Sequence, residues 1–133
     1  MLEKLDHIGI AVKDLDQAIK LYKDVFGIDP SLVYESAHTK ARIAFIPIGE
    51  TRIELIQPFN AESVVGRFLE KKGEGIHHLS FKVKDVDQSL VEIESKGVQL
   101  IDKKSRPVRE NERVAFLHPK STHGVLFEMI QED

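Results

Sequence analysis

The chain is 133 residues long, 41% hydrophobic and 31% charged, which suits one globular domain with a buried core. A formal net charge of -3 excludes a general attraction to nucleic acid or to an anionic membrane, and the lack of cysteine excludes disulfides, thiolate nucleophiles and cysteine-bound zinc. No apolar run reaches about 20 residues, the length of a membrane span, and the opening MLEKLDH shows no signal-peptide pattern, so a cytoplasmic location is expected.

Residues 5–13 alternate, with Ile8, Ile10 and Val12 on one face and His7, Gly9 and Ala11 on the other, which predicts a strand. Asp14 is placed to cap a helix over Leu15–Phe26, where Leu15, Ala18, Ile19, Tyr22 and Phe26 recur at helical spacing and Gly27 ends the run. Strands are predicted over Leu32–Ser36, Ala41–Ile48 and 52–57, with Gly49 and Glu50 as the last turn. Residues 60–72 read as a helix capped by Asn60 and closed by Gly73. The order then repeats: a strand over 76–84, a helix over 86–96 capped by Asp85 and ended by Gly97, and strands over 98–101, 113–118 and 125–131.

The repetition is visible residue by residue. Sliding LDHIGIAVKDLDQAI onto GIHHLSFKVKDVDQSL at an offset of 71 puts His7 on His78, Val12 on Val83, Asp14 on Asp85 and Gln17 on Gln88. IELIQ and FEMIQ match at an offset of 74, which puts Glu54 on Glu128. The unit βαβββ therefore occurs once in each half, one duplication rather than a solenoid. The expected layout is a single domain over 1–133, with one module over about 1–58, a connecting helix over about 59–73 and a second module over about 74–133.

A lone histidine in a strand is more often a hydrogen-bonded structural residue, and a lone mid-strand glutamate usually faces water. Duplication changes that balance. Each histidine is expected to point away from its helix, toward a face with room for something else, since the opposite face is apolar. A carboxylate between Ile53 and Leu55, or between Phe127 and Met129, runs against strand propensity, and enclosing it is costly unless a partner or a cation meets it. Two His and two Glu related in this way make a candidate metal site, with N2O2 ligation that suits Co, Ni, Zn or Mn. Four protein ligands on an octahedral ion leave two adjacent positions for paired oxygens of a substrate. His77 lies on the opposite pleat face and is the poorer ligand, and His38, His118 and His123 have no duplicate.

The motifs LDHIGIAV, GIHHLSFKV and FLHPKSTHGVLFEMIQ, with IELIQPF and SVVGRFLEKKGEGIHH between them, resemble the vicinal oxygen chelate superfamily and, within it, the methylmalonyl-CoA epimerases. The resemblance covers nearly the whole chain. It implies an α+β fold in which two tandem βαβββ modules form a strongly curved eight-stranded mixed sheet around a metal cleft. It also implies a divalent metal held by His7, Glu54, His78 and Glu128, an acyl-CoA substrate, and a homodimer. His118 and Lys120, in the HPK stretch, are its candidates for substrate contact. The family often carries a glutamate base where this chain has Ile43, flanked by Arg42 and Ala44. The base is then Glu128 alone, as ligand and proton acceptor in one, or a residue such as Glu35 or His38.

The reaction so implied is removal of a proton from the carbon between a thioester and a carboxylate, through an enolate. Glyoxalase I, acting on a glutathione hemithioacetal with the same ligand logic, is the nearest rival. A metal-free drug-binding protein of the same fold is a second rival, which the four ligand-type residues argue against.

Overall fold

Alternating strands and aspartate-capped helices appear where the duplicated pattern puts them. The computed structural model describes residues 1–133. In chain order it contains β1 (Lys4–Ala11), α1 (Leu15–Phe26), β2 (Leu32–Ser36), β3 (Ala41–Ile48), β4 (Thr51–Pro58), α2 (Val64–Lys72), β5 (Gly75–Lys82), α3 (Val86–Ser95), β6 (Arg106–Pro107), β7 (Glu112–Leu117) and β8 (Phe127–Glu132). The eight strands form one sheet in the order β2-β3-β4-β1-β5-β8-β7-β6. The sheet is mixed: β1 pairs with β4 and β5 with β8 in parallel, while β2–β3, β3–β4, β6–β7 and β7–β8 are antiparallel. No helix is long and apolar enough to cross a membrane. The chain divides into two compact units, a first of residues 7–77 and a second of residues 1–6 with 78–133.

In the first unit, Asp14 Oδ1 accepts the Gln17 N–H at 3.1 Å and so satisfies one of the donors a helix start leaves over. Gly27 ends α1 in the left-handed region, φ 69°, which a side chain would disfavour. Leu15 is fully buried and packs with Val12, Ala44, Ile46 and Leu55; a leucine buried in this way is worth about 1.5–3 kcal/mol. On the other side of the strands, Ala11, Ala41, Ile43, Phe45 and Ile56 pack with Val65, Phe68 and Leu69 of α2. The β1 face that carries His7 is therefore not open along its length, as its small residues suggested. Gly9 and Ala11 are small there, and α2 lies over the Ala11 end.

The start of α2 also departs from expectation. Asn60 does not cap it; Ser63 does, its Oγ accepting the Gly66 N–H at 3.1 Å. Asn60 Oδ1 instead accepts the N–H groups of Glu62 and Ser63 at 3.0 and 3.2 Å and builds a turn ahead of the helix. That turn lies so close to the first helical turn that a Cβ on Gly66 would stand 2.0 Å from the Asn60 carbonyl oxygen.

In the second unit, Asp85 caps α3 through the Gln88 N–H at 3.0 Å, and Val86 and Leu90 pack with Val83, Ala115, Leu117 and Met129. The strand expected over 98–101 does not form. Leu100 makes a single bridge to Leu117, and on the side away from β8 the strand paired with β7 is the two-residue β6. Side chains have taken over the backbone groups: Asp102 Oδ2 accepts the Phe116 N–H at 2.8 Å. Asp87 accepts the Ser105 N–H and hydroxyl at 2.7 and 2.9 Å, and Arg113 Nε donates to Ser105 Oγ at 2.7 Å. β8 begins at Phe127 rather than 125, because His123 and Gly124, φ 59° and 86°, hold a tight turn that Thr122 Oγ1 closes on the Val125 carbonyl.

Candidate metal centre

Strand register decides which side chains share a face. In the first unit, Gly9 lies opposite Glu54, and Glu54 lies opposite Phe45. His7, Glu54 and Phe45 therefore stand on one face of β1, β4 and β3. His7 and Glu54 are 3% and 9% exposed, and His7 Nε2 is 3.5 Å from Glu54 Oε1. The His7 ring meets Phe45 edge-on, with centroids 5.8 Å apart. The Arg52 guanidinium lies over the same Phe45 ring at 4.1 Å, where the negative ring face attracts a cation.

The second unit repeats the arrangement with its own residues. Ser80 and Phe116 lie opposite Glu128, so His78, Ser80, Glu128 and Phe116 share a face. His78 and Glu128 are buried, and His78 meets Phe116 edge-on at 5.9 Å. Arg106 lies over Phe116 at 5.5 Å. In the second unit the Ser80 hydroxyl donates to Glu128 Oε1 at 2.7 Å, and Ser80 is fully buried; the residue at the matching place in the first unit is Gly9.

His7, Glu54 and His78 form a group that could hold a metal ion, each offering one ligand atom, with these atoms all within 4.8 Å of one another. The donor set fits a divalent cation. Two imidazole nitrogens and a carboxylate oxygen suit borderline ions, and a buried carboxylate is costly without positive charge near it. Glu128 is not one of the three; its Oε1 is engaged by Ser80.

The other singled-out residues fall elsewhere. His77 packs edge-on against Phe68 at 5.0 Å. Ile43 is fully buried in the core and offers no base. Glu35 is exposed on the β2 face opposite to Tyr34 and pairs in register with Arg42, while His38 sits in the turn before β3. His118 caps the short 3₁₀ helix Pro119–Ser121, its Nδ1 accepting the Lys120 N–H at 3.1 Å, and the Lys120 side chain is exposed.

Two features of these faces, and the contact of Ser80 with Glu128, escaped the sequence reading. Phe45 and Phe116 are themselves 71 residues apart, the offset that relates the histidines, so extending the repeat alignment finds them. The arginines leave no such signal, since Arg52 comes from β4 and Arg106 from β6. Ser80 shows only as a mismatch, falling where the first half has Gly9.

Comparison with known proteins gives three findings. Residues 6–116 match the family model of the Glyoxalase/Bleomycin resistance protein/Dioxygenase superfamily. The chain is 37% identical to the uncharacterized protein YqjC of Bacillus subtilis, over 98% of this chain and 93% of that one, and 35% identical to the mitochondrial methylmalonyl-CoA epimerase of Dictyostelium discoideum, over 95% and 76%. A solved structure of methylmalonyl-CoA epimerase in complex with methylmalonyl-CoA and NH4+ is similar with a TM-score of 0.93 at 35% identity, covering 99% of this chain and 96% of that one.

Proposed function

Because the chain belongs to the glyoxalase/bleomycin resistance protein/dioxygenase superfamily, we propose that it is a methylmalonyl-CoA epimerase, interconverting the (R) and (S) forms by removal and return of the α-proton. The observation that carries this reading is the group of two imidazoles and one carboxylate, buried and with ligand atoms within 4.8 Å of one another. It occurs in a chain whose relatives of similar length include methylmalonyl-CoA epimerases.

On this reading His7, Glu54 and His78 would hold a divalent cation such as Co, Ni, Zn or Mn, with Glu128 as fourth ligand. The chemistry such a cation supplies is positive charge where negative charge develops on the substrate's thioester and carboxylate oxygens. Glu128 is also the general base that takes the α-proton, and its Oε1 accepts from Ser80. Burial of Glu128 keeps bulk water from competing for that proton. Ile43, in the core, leaves Glu128 as the carboxylate this reading uses. The same reading takes a homodimer as the assembled state, which light scattering on the purified protein checks.

The test is exchange of the α-proton. Metal-loaded protein is mixed with methylmalonyl-CoA in deuterated water and followed by NMR, beside a chelator-treated control. Washout of the α-hydrogen that stops on chelation is expected. No washout, with metal shown to be bound, would overturn the reading, and the glutathione hemithioacetal of methylglyoxal would be tried next.

A further inference from the structure

Each histidine of the ligand group has a phenyl ring against it, and the two contacts are alike. The His7 ring meets Phe45 with centroids 5.8 Å apart and planes at 75°, and the His78 ring meets Phe116 at 5.9 Å and 87°. Phe45 is also a core residue, packed with Ala41, Ile43 and Ile56. Phe116 is not. It is half-buried and faces the other way from Ala115 and Leu117, its neighbours on β7, which pack into the core of the second unit. The histidine contact is therefore what the two rings share. A guanidinium lies over each phenyl face, Arg52 at 4.1 Å and Arg106 at 5.5 Å, although the arginines come from β4 and β6. In the second unit one carboxylate oxygen ties the pieces together: Asp102 Oδ2 accepts the Phe116 N–H at 2.8 Å and an Arg106 N–H at 3.5 Å.

We propose that Phe116 is a positioning residue of the metal centre: its ring fixes the plane of the His78 imidazole, and Arg106 and Asp102 clamp that ring in turn. A ring nitrogen offers its lone pair in the plane of the imidazole, so a tilt of the ring turns the pair away from the ion. What a ligand touches beyond the ion sets its orientation, and losing such a partner costs about 10–100-fold in metal affinity. The perpendicular phenyl ring restrains the imidazole from the side, and the guanidinium over the phenyl face holds the phenyl ring still. The role rests on the metal-binding part of the proposed function and not on the identity of the substrate.

Cobalt titration, with the visible cobalt bands recorded, compares the parent with Phe116→Leu, Arg106→Lys, their double variant and Leu15→Val. Leucine keeps an apolar side chain at 116 and removes the ring; lysine keeps the charge at 106 and removes the flat guanidinium. Phe116→Leu is expected to bind cobalt about tenfold more weakly, with shifted bands. Arg106→Lys should lose about threefold, and the double variant no more than Phe116→Leu alone, because both act through one ring. The Phe116→Leu loss should persist in a Glu128→Gln background, since the ring touches His78. Leu15 packs with Ile10 and Val12, on the face of β1 away from His7, so Leu15→Val should lower urea stability and leave cobalt binding at the parent's level. Unchanged cobalt affinity and bands in Phe116→Leu would overturn the proposal. So would a loss that vanishes with Glu128→Gln, or one that Leu15→Val matches. Should Phe116→Leu not fold, Arg106→Lys decides alone, and parental cobalt binding there overturns the proposal. A parent that binds no cobalt overturns it as well, whereas a parent that binds cobalt and does not epimerise sinks the epimerase reading only.

Discussion

Gln57 Oε1 accepts the backbone N–H of Leu15 at 2.7 Å. Gln131 does the same for Val86 at 2.7 Å. Each glutamine is the next-to-last residue of the strand that carries a glutamate of the site, and each reaches the first residue of its unit's helix. That N–H is one of the donors a helix start leaves without an intrahelical partner. Leu15 and Val86 are both fully buried, so water does not serve them. The second match between IELIQ and FEMIQ, Gln57 with Gln131, thus has a structural cause distinct from that of the glutamates.

Gln57→Ala and Gln131→Ala should each lower stability by about 1–3 kcal/mol, the penalty of a buried donor left without its acceptor. Metal affinity should stay that of the parent, since neither glutamine belongs to the ligand group. Urea unfolding measures the first and metal titration the second. A loss of metal binding with unchanged stability would place these glutamines in the site instead.

His77 and His78 are adjacent in sequence and differ in employment. His78 belongs to the ligand group, whereas the His77 ring lies edge-on to Phe68. His78→Ala should abolish stoichiometric metal binding, read by elemental mass spectrometry. His77→Ala should retain it and lose about 0.5–1.5 kcal/mol from the aromatic contact. The reverse result would break the repeat alignment that pairs His7 with His78.

Asp87 gives a pH dependence that does not involve the ligand group. The Ser105 N–H foremost, then the Ser105 hydroxyl and the charge of Arg113, hold its carboxyl below the ordinary value, against the effect of burial. A depressed folded pKa means stability that is fully present above the unfolded value, about 3.9, and lost as pH falls through the folded value. Asp87→Asn should therefore be less stable than the parent near neutrality, with the gap closing below about pH 4. The gap is small, because Asp87 is solvent-exposed. Thermal melts from pH 2.5 to 7 read it, and a gap that widens in acid would contradict the assignment.

What the sequence made legible was what periodicity and duplication encode. The strands bearing the histidines, both aspartate caps and the Glu54–Glu128 match all rest on local spacing, which a single chain displays. What it hid depends on partners distant in sequence. Residues 98–101 look like a strand, yet Asp102 takes the Phe116 N–H and the pairing moves to Arg106–Pro107. Asn60 looks like a cap, yet its side chain closes a turn and Ser63 caps instead. The covering of Ala11 by α2 and the meeting of Ser80 with Glu128 across 48 residues likewise have no local signature.

The two glutamates give the sharpest test of the site. Glutamine at position 128 keeps a carbonyl oxygen that can accept from Ser80, so Glu128→Gln should fold as the parent does. What it loses is the capacity to take a proton at neutral pH. Turnover of methylmalonyl-CoA should then fall by about 10²–10⁴-fold, the scale of a lost general base. Glu54→Gln keeps an oxygen to offer as ligand from the face it shares with Gly9 and is asked for no proton, so its turnover should stay within about tenfold of the parent, the effect of weaker charge rather than lost chemistry. Steady-state rates of both variants, loaded with the same metal and checked for stoichiometry, decide the matter. Near-parental turnover in Glu128→Gln would remove the base from this position. A collapse confined to Glu54→Gln would show that the duplicated pair divides its roles the other way round.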